Sequence, residues 1–335
     1  MSDSYTKQPI SLAPMVNKTD RDWRWIMRLI TKKTLFYTEM ITAPAILRGN
    51  RDRLLAFDPL ENPLVLQLGW DEPDALAESC RIAEDYGYDE INLNCGCPSD
   101  KVQKHDFGAA LMARPEHVAC LVETMSAATK LPVTVKNRIG IRSKKSNLSL
   151  EEYSDLHNFV RIVSSAGCGK FIIHSRIAIL EGLSPRANRD VPPLRPEDVY
   201  RIKEDFPNLF IEINGGYKTP QQIDKALTHV DGVMLGRIAL DNPWMLSGAD
   251  RRWFGSDTQE YPQPTRKDIL DAAVPYLIRR AKEGASRGVL IQPLMNLFAG
   301  KNGAKAWKRA LTAVPSAGPD GFAGALEDTV ASLPY

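Results

Sequence analysis

The chain has 335 residues, 43% of them hydrophobic and 25% charged. That is ample for a large core and excludes a disordered or collagen-like polypeptide. Lys and Arg number 43 against 41 Asp and Glu, and the resulting net charge of +2 gives by itself no reason to expect a polyanionic partner. No apolar run reaches the roughly 18 residues needed to span a bilayer. The opening MSDSYTKQPISLAPMV has no long apolar stretch of the signal-peptide kind. Five cysteines, an odd and sparse set, do not make a disulfide framework, so a reducing, cytoplasmic setting is expected.

Taken in chain order, eight short apolar runs stand out: ISLAPMV (10–16), LFYTEMITA (35–43), PLVLQLGW (63–70), EINLNCGCP (90–98), PVTVKNRIG (132–140), KFIIHSR (170–176), LFIEINGG (209–216) and GVMLGR (232–237). Most are rich in Val, Ile and Leu and end in Gly, Pro, Asn or charged residues, as buried parallel strands do. Helical patterns separate most of them, over residues 20–32, 73–86, 115–128, 151–166, 196–205 and 219–229. Thr219 followed by Pro220 supplies an N-cap and a first-turn proline. Eight strand–helix units in about 240 residues are the arithmetic of a (β/α)8 TIM barrel in the α/β class. An open doubly wound sheet is the other arrangement, but no GxGxxG follows the first strand.

Past residue 260 the pattern changes. YPQPT (261–265) reads as a linker, and residues 266–282 and 304–314 read as helices with no strand signal. The expected organisation is therefore a barrel over 1–260 and an all-helical C-terminal domain over 261–335. Residues 261–335 carry 10 Lys and Arg against 6 Asp and Glu, so the near-neutral total hides a basic tail on a mildly acidic barrel.

Barrel enzymes place their chemistry at the C-terminal ends of the strands. Here those ends hold Pro14, Met15 and Val16, Glu39, Gln67, Asn94 to Pro98, Lys136 to Arg138, His174 to Arg176, Asn214 to Gly216, and Gly236 with Arg237. The set is polar, glycine-rich and cationic. The last two loops together suit a phosphate, with glycine N–H groups exposed and Arg237 adding a charge-assisted bond. Cys97 at the end of the fourth strand is either a reactive group or a buried inert thiol. The Cys95 and Cys97 pair lacks a second Cys or His pair of matching spacing, so no metal site is expected. Lys136 can hold an electron-rich ring or a phosphate, and His174 is either a ligand contact or a satisfied structural histidine.

The stretches YDEINLNCGCPSDKVQ, FGAALM, PVTVKNRIG, FIIHSR, GLSPRANRDVPPLR, INGG, DGVMLGR and LFAGKNGAKAWKR follow one another in this order. In them the chain resembles the tRNA-dihydrouridine synthase family, most closely its DusA branch, over nearly its whole length. The resemblance implies an FMN-bearing barrel followed by a helical tRNA-binding domain. Pro14, Met15 and Val16 would line the flavin, with Gln67 bonding its ring and Lys136 beside its N1/O2 edge. His174 would contact the flavin or its phosphate side, and Asn214, Gly215, Gly216, Gly236 and Arg237 would hold the phosphate. Asn94, Arg186 and Arg189 would contact the target nucleotide or nearby RNA. NADPH would reduce FMN, the flavin would give hydride to C6 of a flipped-out uridine, and Cys97 would protonate C5 as general acid. The target uridines would be positions 20 and 20a of the D-loop.

In the tail, Lys301, Lys305 and Lys308 are spaced to share one helix face around Trp307, suited to phosphate contacts or to simple solvation. The family pattern has Arg where this chain has Lys305 and Lys308, which keeps the charge without the bidentate fork. It also has Asp-Trp at Asn17-Lys18 and a hydrophobic residue at Cys95. Two other activities fit parts of this pattern: a flavin-dependent reductase of a free pyrimidine, and a non-catalytic tRNA-binding protein. The basic tail and the Arg186/Arg189 pair speak against the first. The joint presence of Cys97, Lys136, His174 and Arg237 speaks against the second.

Overall fold

The computed structural model describes residues 8–255 and 262–332. Of the ten strands in its sheet, eight parallel ones form the barrel path: β1 (Ile10–Leu12), β2 (Phe36–Tyr37), β3 (Leu64–Gly69), β4 (Glu90–Cys95), β5 (Val133–Ser143), β6 (Lys170–Ile179), β7 (Phe210–Asn214) and β8 (Gly232–Leu235), and a short parallel strand, Ile41–Thr42, pairs with the end of β3. Each of the eight begins in one of the eight apolar runs. They are hydrogen-bonded in the order β1-β8-β7-β6-β5-β4-β3-β2. Leu12 N–H donates to the Leu35 carbonyl (2.9 Å) and Leu35 N–H to the Ile10 carbonyl (3.2 Å), which joins β1 to β2 and closes the barrel. β3 and β4 are buried along their whole length, as strands covered on both faces should be.

The helices begin where the chain chemistry starts them. They are α1 (Arg21–Ile30), α2 (Ala43–Arg48), α3 (Pro73–Glu84), α4 (Pro115–Ala128), α5 (Tyr153–Ser165), α6 (Pro196–Asp205) and α7 (Pro220–Leu227). Proline occupies the first turn of α2, α3, α4, α6 and α7, where its missing N–H costs nothing. Reciprocal capping boxes open α5 (Glu152 with Asp155) and α7 (Thr219 with Gln222). The tail holds α8 (Arg266–Lys282), α9 (Ala304–Ala313) and α10 (Gly318–Ala331).

Three expectations change. First, β5 and β6 run on past Gly140 and Arg176 to Ser143 and Ile179. Their pairing resumes beyond a register shift between Arg138 and Gly140, and a short strand, Leu148–Leu150, folds back antiparallel on the end of β5. Gly140 permits that turn-back, since a Cβ there would lie 2.3 Å from the Leu150 carbonyl oxygen. Lys136, Arg138 and His174 therefore sit within strands rather than at their tips. Second, α9 starts at Ala304 behind Gly303 in the left-handed conformation (φ 82°), which leaves Lys301 outside the helix and off the expected common face. Third, α10 forms where no individual helix had been marked within the expected all-helical region.

The chain makes two compact units, drawn differently from the expected 1–260 and 261–335. One takes in the chain up to Asn17, Leu35–Phe57 and Asn62–Gly236; the other takes Lys18–Thr34, Asp58–Glu61 and the chain from Arg237 onward. The expected boundary at 260/261, with the start of the YPQPT linker, lies outside the described residues. Side-chain chemistry explains why α1 joins the second unit. Buried Asp22 accepts from Tyr276 Oη (2.6 Å) and Arg280 Nε (2.7 Å), and Trp25 stacks on Tyr276 at 3.8 Å between centroids. Arg24 pairs with buried Glu61 at 2.7 Å. Breaking either buried pair would leave an uncompensated charge. No helix among the described residues is long and apolar enough to cross a membrane.

Candidate active site

Side chains two apart on a strand share a face. On β4 this puts Glu90, Asn92 and Asn94 on one side, and on β5 it does the same for Thr134, Lys136 and Arg138. Register aligns Asn94 with Lys136, Arg138 with His174, and His174 with Asn214. Residues from consecutive strands are thereby brought to one end of the barrel.

The contacts follow that placement. Gln67 and Asn94 meet, with Asn94 Nδ2 donating to Gln67 Oε1 at 2.9 Å. Asn94 Oδ1 in turn accepts from the Cys97 N–H at 2.9 Å and fixes the turn that carries the thiol. Lys136 Nζ donates to Asn214 Oδ1 at 3.2 Å, while Asn214 Nδ2 donates to the Met234 carbonyl at 2.8 Å. Hydrogen bonds thus link Gln67, Asn94 and Cys97 to one another and Lys136 to Asn214, with His174 in register beside Asn214.

This end of the barrel is rich in cations. Burial, with neighbouring Arg138 acting in the same direction, pushes the Lys136 ammonium down to about 7. Burial, together with Arg138, Lys136, Arg176 and Arg189, holds the His174 ring well below its ordinary value, so it is neutral at pH 7. Burial pushes the Cys97 thiol up, against the opposing pull of the Ser99 N–H and of Arg138, Arg189 and Lys136. Cys97 is therefore a protonated thiol with cations close enough to receive it as a thiolate.

Arg138, named at a strand end but given no role, belongs with the cluster. It is 4% exposed, its guanidinium is pushed down to about 10 by burial, and its side chain donates to the carbonyls of Gly96, Ile177 and Asn188. The signal was present in Lys136-x-Arg138, since two residues along a strand return to the same face. Asn188 anchors the loop beyond β6: fully buried, it exchanges hydrogen bonds with Ile179 and also donates to the Leu183 carbonyl.

Gly215 and Gly216 follow β7 with φ of 119° and 85°, a region L-residues rarely adopt. A Cβ on Gly215 would lie 2.8 Å from His174 Cδ2, and one on Gly216 would lie 2.5 Å from Leu194 Cδ1. Bare backbone is required there, as it is where a phosphate is to meet N–H groups. Gly236 closes the first unit, and Arg237, next in the chain and exposed, starts the second.

Pro14 and Met15 are half-buried beyond β1, whereas Val16 is 58% exposed. Arg186 and Arg189 are exposed on a short turn, with only Arg189 near enough to act on Cys97. Lys305 and Lys308 are exposed on α9, flanking a buried Trp307 whose indole N–H donates to the Leu294 carbonyl at 2.8 Å.

Residues 11–328 match the dihydrouridine synthase (Dus) family. A tRNA-dihydrouridine(20/20a) synthase of Synechocystis sp. is 49% identical over 322 residues, covering 95% of this chain and 94% of its own. One from Vibrio parahaemolyticus is 43% identical, covering 97% of each chain. The chain belongs to the dihydrouridine synthase family. Among solved structures, morphinone reductase aligns at a TM-score of 0.51 and 10% identity over 78% of this chain and 88% of its own, a likeness of fold alone. As a family member the chain is an oxidoreductase, and the cluster of Cys97, Lys136, Arg138 and His174 is its candidate active site.

Proposed function

We propose that this dihydrouridine synthase acts on tRNA, reducing the C5–C6 bond of D-loop uridines 20 and 20a with FMN as cofactor and NADPH as reductant. One observation carries the reading: Cys97, a thiol that burial keeps protonated, stands within electrostatic reach of Arg138, Arg189 and Lys136, and Lys136 reaches Asn214, the residue just ahead of the bare Gly215-Gly216 backbone. The relatives' printed substrate, tRNA at 20/20a, agrees with it.

The residues present fit a flavin nucleotide. Gly215 and Gly216 keep bare backbone where a Cβ would strike His174 and Leu194, and Gly236 and Arg237 would add to a phosphate grip. Gln67, Lys136 and His174 offer polar groups to a ring, with Pro14, Met15 and Val16 lining it. Held there, FMN would supply the hydride-transfer chemistry of the reaction. Lys136 is the cation suited to the N1/O2 edge of the ring, because a desolvated ammonium gains most from an adjacent negative charge.

The chain's own residues carry the other half of the reaction. Asn94 orients the Cys97 turn. Cys97 Sγ–H delivers its proton to C5 and becomes a thiolate, which Arg138, Arg189 and Lys136 stabilise. Burial keeps the Cys97 proton in place at pH 7, and the neighbouring cations offset part of the cost of giving it up. Arg186 and Arg189 would contact the target nucleotide or nearby RNA, and Lys305 and Lys308 would contact phosphates of the tRNA body.

The test supplies purified protein, FMN and NADPH with bulk tRNA lacking dihydrouridine or with free uracil, and maps the product. Dihydrouridine at positions 20 and 20a, with free uracil inert, is the expected result. Turnover of uracil alone would make the protein a free-pyrimidine reductase, and no flavin binding at all would remove the catalytic reading.

A further inference from the structure

Five buried side chains link the inner part of the barrel to Cys97 in one unbroken hydrogen-bonded series. Thr134 Oγ1 donates to Glu90 Oε1 at 2.7 Å. Asn92 Nδ2 donates to Thr134 Oγ1 at 2.9 Å, and Gln67 Nε2 donates to Asn92 Oδ1 at 2.8 Å. Asn94 Nδ2 donates to Gln67 Oε1 at 2.9 Å. Asn94 Oδ1 then accepts from the N–H groups of Gly96 (3.1 Å) and Cys97 (2.9 Å). Glu90, Thr134, Asn92, Gln67 and Asn94 are each at most 8% exposed.

The donor–acceptor sense of the series is fixed at both ends. Backbone N–H groups can only donate, so Asn94 must turn its oxygen to Cys97 and its nitrogen to Gln67. At the other end Glu90 offers oxygen. Lys170 Nζ lies 3.1 Å from Glu90 Oε2, and Thr134 places its proton on Oε1. That leaves the Thr134 lone pairs for Asn92 Nδ2. An amide has no preference of shape between its oxygen and its nitrogen, yet here both termini demand the same orientation of all three amides. Reversing any one of them would set like against like in a buried place, where an unpaired polar group is costly.

We propose that Glu90 and Thr134, which belong to none of the groups assigned to flavin or uridine, are positioning residues. Through Asn92 they dictate which atoms Gln67 and Asn94 present to the pocket, and they hold the turn that carries Cys97. The functional meaning rests on the dihydrouridine synthase reading, because Gln67 is the expected ring contact and Asn94 the expected nucleotide contact. Polar residues inside barrel strands, otherwise an expense, thus acquire a purpose: a carboxylate four side chains away sets the polarity of the site.

The test is amide hydrogen exchange at Gly96 and Cys97 in the purified full-length protein, measured for wild type, Thr134→Val, Thr134→Ser and Glu90→Gln. Thr134→Val keeps the shape and removes the hydroxyl, and it should speed exchange at both amides about fivefold, the effect of losing one neutral hydrogen bond. Thr134→Ser keeps the hydroxyl and should exchange as wild type. Glu90→Gln gives its amide oxygen to Lys170 and turns an N–H on Thr134, so it should act in the same direction, and it decides the matter if Thr134→Val does not fold. A merely local packing defect would raise exchange beside residue 134 and leave residues 96 and 97 alone. Unchanged rates at Gly96 and Cys97 in either folded variant, or an acceleration shared by Thr134→Ser, would overturn the proposal. The readout needs no turnover and no tRNA, so a protein that makes no dihydrouridine would refute the functional reading without touching this one.

Discussion

The barrel and the tail both carry positive charge, but they hold it in opposite ways. Arg138 is buried and Lys136 largely so, and desolvation depresses both. Lys305 and Lys308 stand exposed on α9, with the aromatic body of Trp307 buried between them. A desolvated cation acts over a short distance with large energy and fixed geometry, whereas an exposed one acts weakly, additively and only until salt screens it. The first arrangement suits chemistry on one bond, and the second suits a grip on a long polyanion. Substitutions in the two regions should therefore fail in different ways.

The largest effect should come from the thiol. Cys97→Ala removes the proton donor and leaves the Cys97 backbone N–H free to keep its bond to Asn94. Dihydrouridine formation should drop by about 10²–10⁴-fold, the usual worth of a general acid, while flavin content and tRNA affinity stay as in wild type. Single-turnover assays with the flavin already reduced would show it. An undiminished rate would move the proton donor elsewhere.

Lys136 comes next, through pH. Its ordinary value of 10.5 applies in the unfolded chain, against about 7 in the fold. Between these limits the unfolded chain binds the extra proton, so stability rises with pH across that window. Below pH 7 both states are charged and the full cost of burying the ammonium is present; above about 10.5 both are neutral and it is gone. Lys136 keeps partial exposure, so a cost on the order of 2 kcal/mol is expected. In flavin-free protein, Lys136→Met should be the more stable variant at pH 6.5 by about that amount, with the gap closing by pH 10 in urea titrations. A gap independent of pH would mean that the ammonium is not desolvated.

Why the barrel was legible and part of its site was not can be traced to particular residues. The apolar runs mark all eight strands because a parallel strand covered on both faces needs continuous Val, Ile and Leu. Cys97, Lys136 and the Gly215-Gly216 pair are visible as residues a plain core would not place at a strand end. Glu90, Asn92 and Thr134 are hidden inside the same runs, and only the period of two across EINLN and VTVK betrays an inward polar face. α10 escapes because Gly318, Gly321 and Gly324 with Pro319 depress helix propensity, and burial of Phe322 and Leu326 overrides them. The membership of α1 in the second unit rests on Asp22 meeting Tyr276 and Arg280, more than two hundred residues away in the chain, which no local pattern records.

The smallest effects belong to the tail, and their form matters more than their size. Lys305→Ala and Lys308→Ala should each raise the KM for tRNA by roughly threefold at moderate salt and leave kcat unchanged, as loss of one exposed phosphate contact should. The sharper measure is the slope of log affinity against log salt concentration, which should flatten by about 0.7–0.9 for each lysine that neutralises a phosphate. Replacing the same lysines by Arg should restore the slope and tighten binding slightly, because the guanidinium adds a bidentate fork to the same charge. Cys97→Ala should leave that slope untouched. If the lysine variants bind tRNA with an unaltered slope, α9 is only a solvated face, and the contacts that hold the RNA lie on other cations of the chain.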